Sequence, residues 1–151
     1  MRNETTKKKE KRLLKKITAE VKRWEKILYL SEWRLEIKLD DLSNIDNDDG
    51  KKYLAITEMI VPYREAVIVF DVNIPPDDIE VTVIHELVHL IIHPIVAQID
   101  NLLPKRITEE EKNIIHNSEE RAVSDITHIT KSRIQYYIKR RKRKTQQLER
   151  R

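Results

Sequence analysis

The sequence predicts an α+β fold: helices packed on one small sheet. Three observations point there. A 3.6-residue apolar period fills the start of the chain, period-2 and short apolar runs fill its middle, and two capped helical stretches follow. With 151 residues the chain has the length of one domain.

The first helix is predicted from Thr5 to Leu30. Leu13, Leu14, Ile17, Val21, Trp24, Ile27 and Leu28 form its apolar face, and the opposite face is rich in Lys and Arg. After a break at Ser31 and Glu32, Trp33, Leu35, Ile37 and Leu39 alternate with Arg34, Glu36 and Lys38, which reads as a half-buried strand. A polar loop over 40–52 follows. Tyr53 to Val61 reads as a second strand, ended by Pro62. Ala66 to Phe70 is a short continuous apolar run, the signature of a more buried third strand. The sheet thus has three strands, or four.

Pro75 and Pro76 mark a connector, after which Asp77 or Asp78 can cap a helix that Pro94 is expected to stop after His93. Pro104 lies in the next linker. Thr108 then opens a capping box with Glu111, and a long helix is expected to reach at least Ile138.

Composition excludes several functions. There is no Cys, so neither a disulfide framework nor a thiolate metal site is available, and any metal must use His, Asp or Glu. The first twelve residues show no apolar segment behind their charges and do not read as a signal peptide. The longest apolar stretch, around Val83 to Ile92, is broken by His85, Glu86 and His89 and is read as too short and too polar to span a membrane. The expectation is a soluble, cytoplasmic protein without a membrane partner.

Charge is distributed unevenly. Residues 1–26 carry eleven Lys/Arg and four Glu, residues 139–151 eight and one, and residues 27–138 eleven Lys/Arg against twenty-one Asp/Glu. The chain divides into the basic start of the N-terminal helix (1–23), one domain (24–138) and a basic tail (139–151), with the acidic excess over 27–138. Clustered Lys/Arg neutralise phosphates, so the tail is a candidate contact for nucleic acid or an acidic partner. The plain alternative is a solvated helix end. No aromatic residue is interleaved in 139–151, which argues against stacking on single strands.

The chemistry is carried by His85-Glu86-Leu87-Val88-His89. Two His at i and i+4 lie one turn apart on one helix face and can share one tetrahedral ion. Zinc lowers the pKa of a water it binds to about 7. Glu86, between the two His, can take that water's proton and return it to a leaving amine. The bland alternative is an amphipathic helix whose polar residues happen to be these. Leu87, Val88, Leu90, Ile91 and Ile92 bury the helix, however, and polar groups there without partners are costly.

A third protein ligand is needed if the fourth position is left for water. A metzincin would place Gly and a third His at positions held by Ile92 and Ile95, which excludes that class. His93 lies two turns beyond His85, about 12 Å along the axis, too far for the same ion on a straight helix. It reads as a helix-end His facing the C-terminal dipole. In the next helix Ile115, Ala122, Ile126 and Ile129 form a stripe. Glu119 lies within it and Glu120 at its edge. A carboxylate in a buried stripe wants a cation, so Glu119 is preferred as third ligand, with Glu120 the alternative. Asp125 is a candidate to orient a ligand His.

Together, HELVHLIIH and SEERAVSDI resemble the gluzincin-like zincins, and more narrowly the ImmA/IrrE-type and small phage-type putative metallopeptidases. His85, Glu86, His89 and His93 match the first motif, Glu119 stands three before Ala122, and the strand WRLEIKL after an N-terminal helix also looks like the phage-type proteins. The resemblance covers about 24–138. It implies a zincin-like fold, zinc, and hydrolysis of peptide bonds in a peptide or protein substrate. Thermolysin-like enzymes place an Asp four residues after the ligand Glu, where this chain has Val123 or Ser124. For the acid that polarises the substrate carbonyl, His116, His128, Tyr136 and Tyr137 are candidates. Two other functions fit the residues: a non-catalytic zinc-binding regulator that binds DNA or an acidic partner through its basic ends, and hydrolysis of a non-peptide amide.

Overall fold

A computed structural model describes residues 4–45, 52–102 and 108–149. Its order is α1 (Glu4–Ile27), β1 (Arg34–Asp40), β2 (Ala55–Ile60), a 3-10 turn (Val61–Tyr63), β3 (Glu65–Asp71), α2 (Ile79–Leu102) and α3 (Glu109–Glu149). The fold is α+β, with three helices and a three-stranded mixed sheet among the described residues. The sheet order is β1-β3-β2, with β3 parallel to β1 and antiparallel to β2. The central place of β3 explains its continuous apolar run.

Register sorts the sheet into two faces. Leu35, Ala66 and Met59 stand side by side, as do Ile37, Ile68 and Thr57, and these rows face the helices. Arg34, Glu36 and Lys38 of β1 point the other way and are exposed. The core joins Ile17, Val21 and Trp24 of α1 to Ile68 and Phe70 of β3 and to Val83, Ile84, Leu87 and Val88 of α2. Beyond β1, Leu42 is also buried, and its N–H donates to the buried Asp71 carboxylate at 3.0 Å.

Among the described residues, the two non-Gly positions with positive φ are Tyr29 (φ 57°) and Arg64 (φ 52°). At the end of α1 the Leu30 N–H donates to Glu25 O at 2.9 Å and Tyr29 N–H to Lys26 O at 3.4 Å, a Schellman closure with Tyr at the place where Gly is usual. Arg64 follows the 3-10 turn and lets β2 reverse into β3.

Helix α2 starts as expected: Asp78 offers its carbonyl to the Thr82 N–H. It does not stop after His93. It runs through Pro94 to Leu102, and α2 packs against α3, which offsets the cost of the proline. The continuation makes the apolar segment longer than the sequence reading allowed. By length and composition alone Ile79–Ile99 is enough to cross a bilayer. Its N-terminal half is nevertheless the core helix of this fold, with Val83, Ile84, Leu87 and Val88 fully buried.

The expected capping box opens α3. Glu111 N–H donates to Thr108 Oγ1 at 3.2 Å, and Thr108 N–H donates to Glu111 Oε2 at 2.8 Å. Helix α3 spans 41 residues, about 60 Å. It packs against α2 and continues well past the last residue that touches the core, Ile134.

Candidate metal centre

Helix α2 lies with one face on the sheet and another on α3. His85, Glu86 and His89 project from the side that meets β2 and α3. His85 Nε2 and His89 Nε2 stand 3.3 Å apart. Glu120 of α3 closes the group, with one oxygen 3.4 Å from His85 Nε2 and the other 3.2 Å from His89 Nε2. Among the described residues these three form the one group of His, Asp and Glu donors close enough to share an ion.

The carboxylate that faces both imidazoles is therefore Glu120, whereas the apolar stripe favours Glu119. The row of α3 that is actually buried is Glu119, Val123 and Thr127, spaced by four, while Ile129 of the expected stripe is 61% exposed. Glu119 lies at the centre of the α2–α3 seam and Glu120 at its rim. The two imidazoles open toward that rim, so the rim carboxylate meets them. Glu119 turns to His93 Nδ1 at 3.0 Å and to His89 Nδ1 at 3.5 Å. His93 is accordingly no helix-end residue facing a dipole. Asp125 is exposed, and the carboxylate behind His89 is Glu119.

Glu86 is buried beside the pair and accepts a 2.7 Å hydrogen bond from Thr57 Oγ1. Burial pushes its carboxyl up from the usual carboxylate value, against the opposing pull of the Thr57 hydroxyl and the two imidazoles. Burial also disfavours a charged His89 ring, but the Glu120 carboxylate, backed by Glu86 and Glu119, outweighs it and raises the His89 pKa. Hydrogen bonding to His85 and His89 holds Glu120 well below the ordinary carboxylate range. Comparison with family models, curated proteins and solved structures found no match.

Thr57 was not singled out by sequence reasoning. The signal was there: in a strand whose inward row is Ala55, Thr57, Met59, the one hydroxyl faces the helices. Of the four candidates for polarising a carbonyl, Tyr136 and Tyr137 lie sixteen and seventeen residues beyond Glu120, about 24 Å or more along α3, out of reach of the group. His128 is about 12 Å along, and His116, one turn before Glu120, is the nearest of the four.

Proposed function

We propose that the protein is a zinc-dependent metallopeptidase of the zincin type, with zinc held by His85, His89 and Glu120 and with Glu86 as the general base. One observation carries the reading: His85, His89 and Glu120 bring two imidazoles and a carboxylate together within reach of one ion. Bonds of about 2.0–2.2 Å at tetrahedral angles put donor atoms about 3.3–3.6 Å apart. The two ring nitrogens stand 3.3 Å apart, and Glu120 faces each with a different oxygen, Oε2 at 3.4 Å from His85 Nε2 and Oε1 at 3.2 Å from His89 Nε2. Two imidazoles and a carboxylate are also the donor set of catalytic zinc sites that keep one position open.

Zinc in this position would supply Lewis acidity, bringing the pKa of water to about 7. Glu86 receives the proton of the attacking water. The Thr57 hydroxyl holds one of its oxygens and leaves the other for that proton, and burial makes the carboxylate a stronger base. The same carboxyl then protonates the departing amine. The strand that carries Thr57 is an edge of the sheet, beside which an extended peptide can add as a further strand.

The test is metal analysis of the purified protein together with a peptide-library cleavage assay on wild type and Glu86→Gln. One zinc per chain in both proteins, with cleavage only in wild type, is the expected result. A Glu86→Gln protein that keeps its zinc and cleaves like wild type overturns the role of Glu86.

Helix α3 favours a second reading, the non-catalytic regulator. Beyond Ile134 it carries six consecutive cations in sequence, from Lys139 to Lys144, and Lys139, Arg140 and Arg141 are exposed without an ion pair among the described residues. That reading requires salt-sensitive DNA binding that survives Glu86→Gln and weakens on removal of 139–151.

A further inference from the structure

Three helices meet at Glu80, in the first turn of α2. Arg23 of α1 reaches its carboxylate at 3.3 Å, and Lys131 of α3 reaches it at 3.9 Å. Lys16 of α1 donates to the Pro76 carbonyl, just before α2, at 3.3 Å. These contacts fix the helix directions. Going back along α1 from Arg23 to Lys16 matches going back along the chain from Glu80 to Pro76, so α1 runs parallel to α2. On α3, Glu120 faces His85 and His89 while Lys131 faces Glu80, so α3 runs antiparallel to α2. The start of α1 and the end of α3 therefore leave the core at the same pole of the molecule.

Both helices outrun the core there. Leu13 is the first residue of α1 packed against it, and Ile134 the last of α3. Before Leu13, the side chains of Lys7, Lys8, Lys9, Lys11 and Arg12 are exposed, and beyond Ile134 so are those of Lys139, Arg140 and Arg141. Arg133, Tyr137 and Arg141 stand four apart on α3, an exposed row that sets a phenol between two guanidinium groups. Two helices that pack against a third at about 8–10 Å each lie at most about 20 Å from one another.

We propose that the exposed cations at the start of α1 and at the end of α3 form one surface that binds the phosphate backbone of duplex DNA. The inference rests on the nucleic-acid reading of α3 given above, adds α1 to it, and is independent of the metal site. Arg, Lys and Tyr side chains are groups that position proteins on phosphates, and such contacts need no particular base. A duplex carries one negative charge per about 1.7 Å of axis, so about 20 Å of it serves both helices. A lipid surface would require an apolar helix face to insert. Residues 4–12 contain no apolar residue, and the aliphatic residues of 135–149, Ile138 and Leu148, fall on different faces. Lys139 is about 28 Å along α3 from Glu120, so the surface is separate from the metal centre.

The test is fluorescence anisotropy of a labelled duplex of about 20 base pairs with the full-length protein, at salt from about 50 to 200 mM. Two triple variants are compared with wild type: Lys8→Gln, Lys11→Gln and Arg12→Gln on α1, and Lys139→Gln, Arg140→Gln and Arg141→Gln on α3. All six side chains are exposed, and Gln is a comparable helix former, so both variants keep the fold. Each is expected to bind about 10-fold or more weakly at the lowest salt, with the slope of log K against log[salt] reduced by about 2–3. Either variant binding like wild type overturns the joint surface. If that variant is the one on α1, the reading of the α3 tail stands alone. A wild-type protein without salt-sensitive duplex binding overturns both. Displacement of the duplex by polyglutamate at equal charge, or tighter binding to vesicles containing phosphatidylserine than to the duplex, overturns duplex DNA as the partner.

Discussion

Thr57 Oγ1 donates to Glu86 Oε2 at 2.7 Å, tying the edge strand β2 to the residue between the two His on α2. The bond lowers the pKa of a carboxyl that burial raises. Thr57→Val keeps the shape and removes the donor. The Glu86 pKa then rises further, and the acid limb of the pH–activity profile moves to higher pH. Because a buried acceptor loses its partner, stability should fall by about 1–3 kcal/mol at neutral pH. Both effects are measurable, the first as kcat/KM against pH and the second by urea unfolding. An unmoved acid limb would detach Glu86 from proton transfer.

The metal-free protein should be less stable at pH 9 than at pH 6. The folded-state pKa of His89 is raised above 6.5, so its contribution is complete below that value and is lost as pH rises through the folded one. Glu120 is lowered from 4.5, so its contribution is present above 4.5 and is lost only as pH falls toward the lowered value. The two describe one cluster, strongest between about pH 4.5 and 6.5. The raised Glu86 acts in the same direction, its contribution falling as pH rises above 4.5. Added zinc should reverse the trend, since it binds deprotonated imidazoles and does so better as pH rises. Thermal melts across pH 6–9, with chelator and with zinc, check both signs. A chelated protein whose Tm climbs over that range contradicts the assignment.

Tyr29→Gly should stabilise the protein. A non-Gly residue at φ 57° costs about 1–2 kcal/mol, and Tyr29 is 88% exposed, so little packing is lost with its ring. Part of the gain is returned through the greater freedom of the unfolded chain. A net gain of roughly 0.5–1 kcal/mol would raise Tm by about 1–4 °C at this chain length. A lower Tm would mean that the ring makes a contribution its exposure does not suggest.

The periodicities made most of the fold legible. Alternation in Trp33 to Leu39 placed β1, the apolar run Ala66 to Phe70 marked the central strand, and the Thr108–Glu111 pair located the start of α3 to the residue. Pro94 misled because sequence rules count the lost bond but not the packing of α2 along α3. The site was half legible. His85, Glu86 and His89 are local, and helical spacing alone brings them to one side. The third group depends on how α3 is rotated against α2, and neighbouring residues on a helix differ by about 100°. Ranking rows by apolarity chose Ile115, Ala122, Ile126 and Ile129, but the buried row runs through Glu119, Val123 and Thr127, two of them polar. Burial identified Glu119 correctly as an inward carboxylate. It could not show that the inward position serves His93 and the back of His89, nor that the rim position meets the open nitrogens.

The most direct test of the central claim is an anomalous difference map collected at the zinc edge from crystals of the zinc-loaded protein. One peak is expected, within about 2.0–2.2 Å of His85 Nε2, His89 Nε2 and a Glu120 oxygen, and lost in Glu120→Ala. A peak elsewhere on the chain, or no peak at the pair at saturating zinc, would contradict the account.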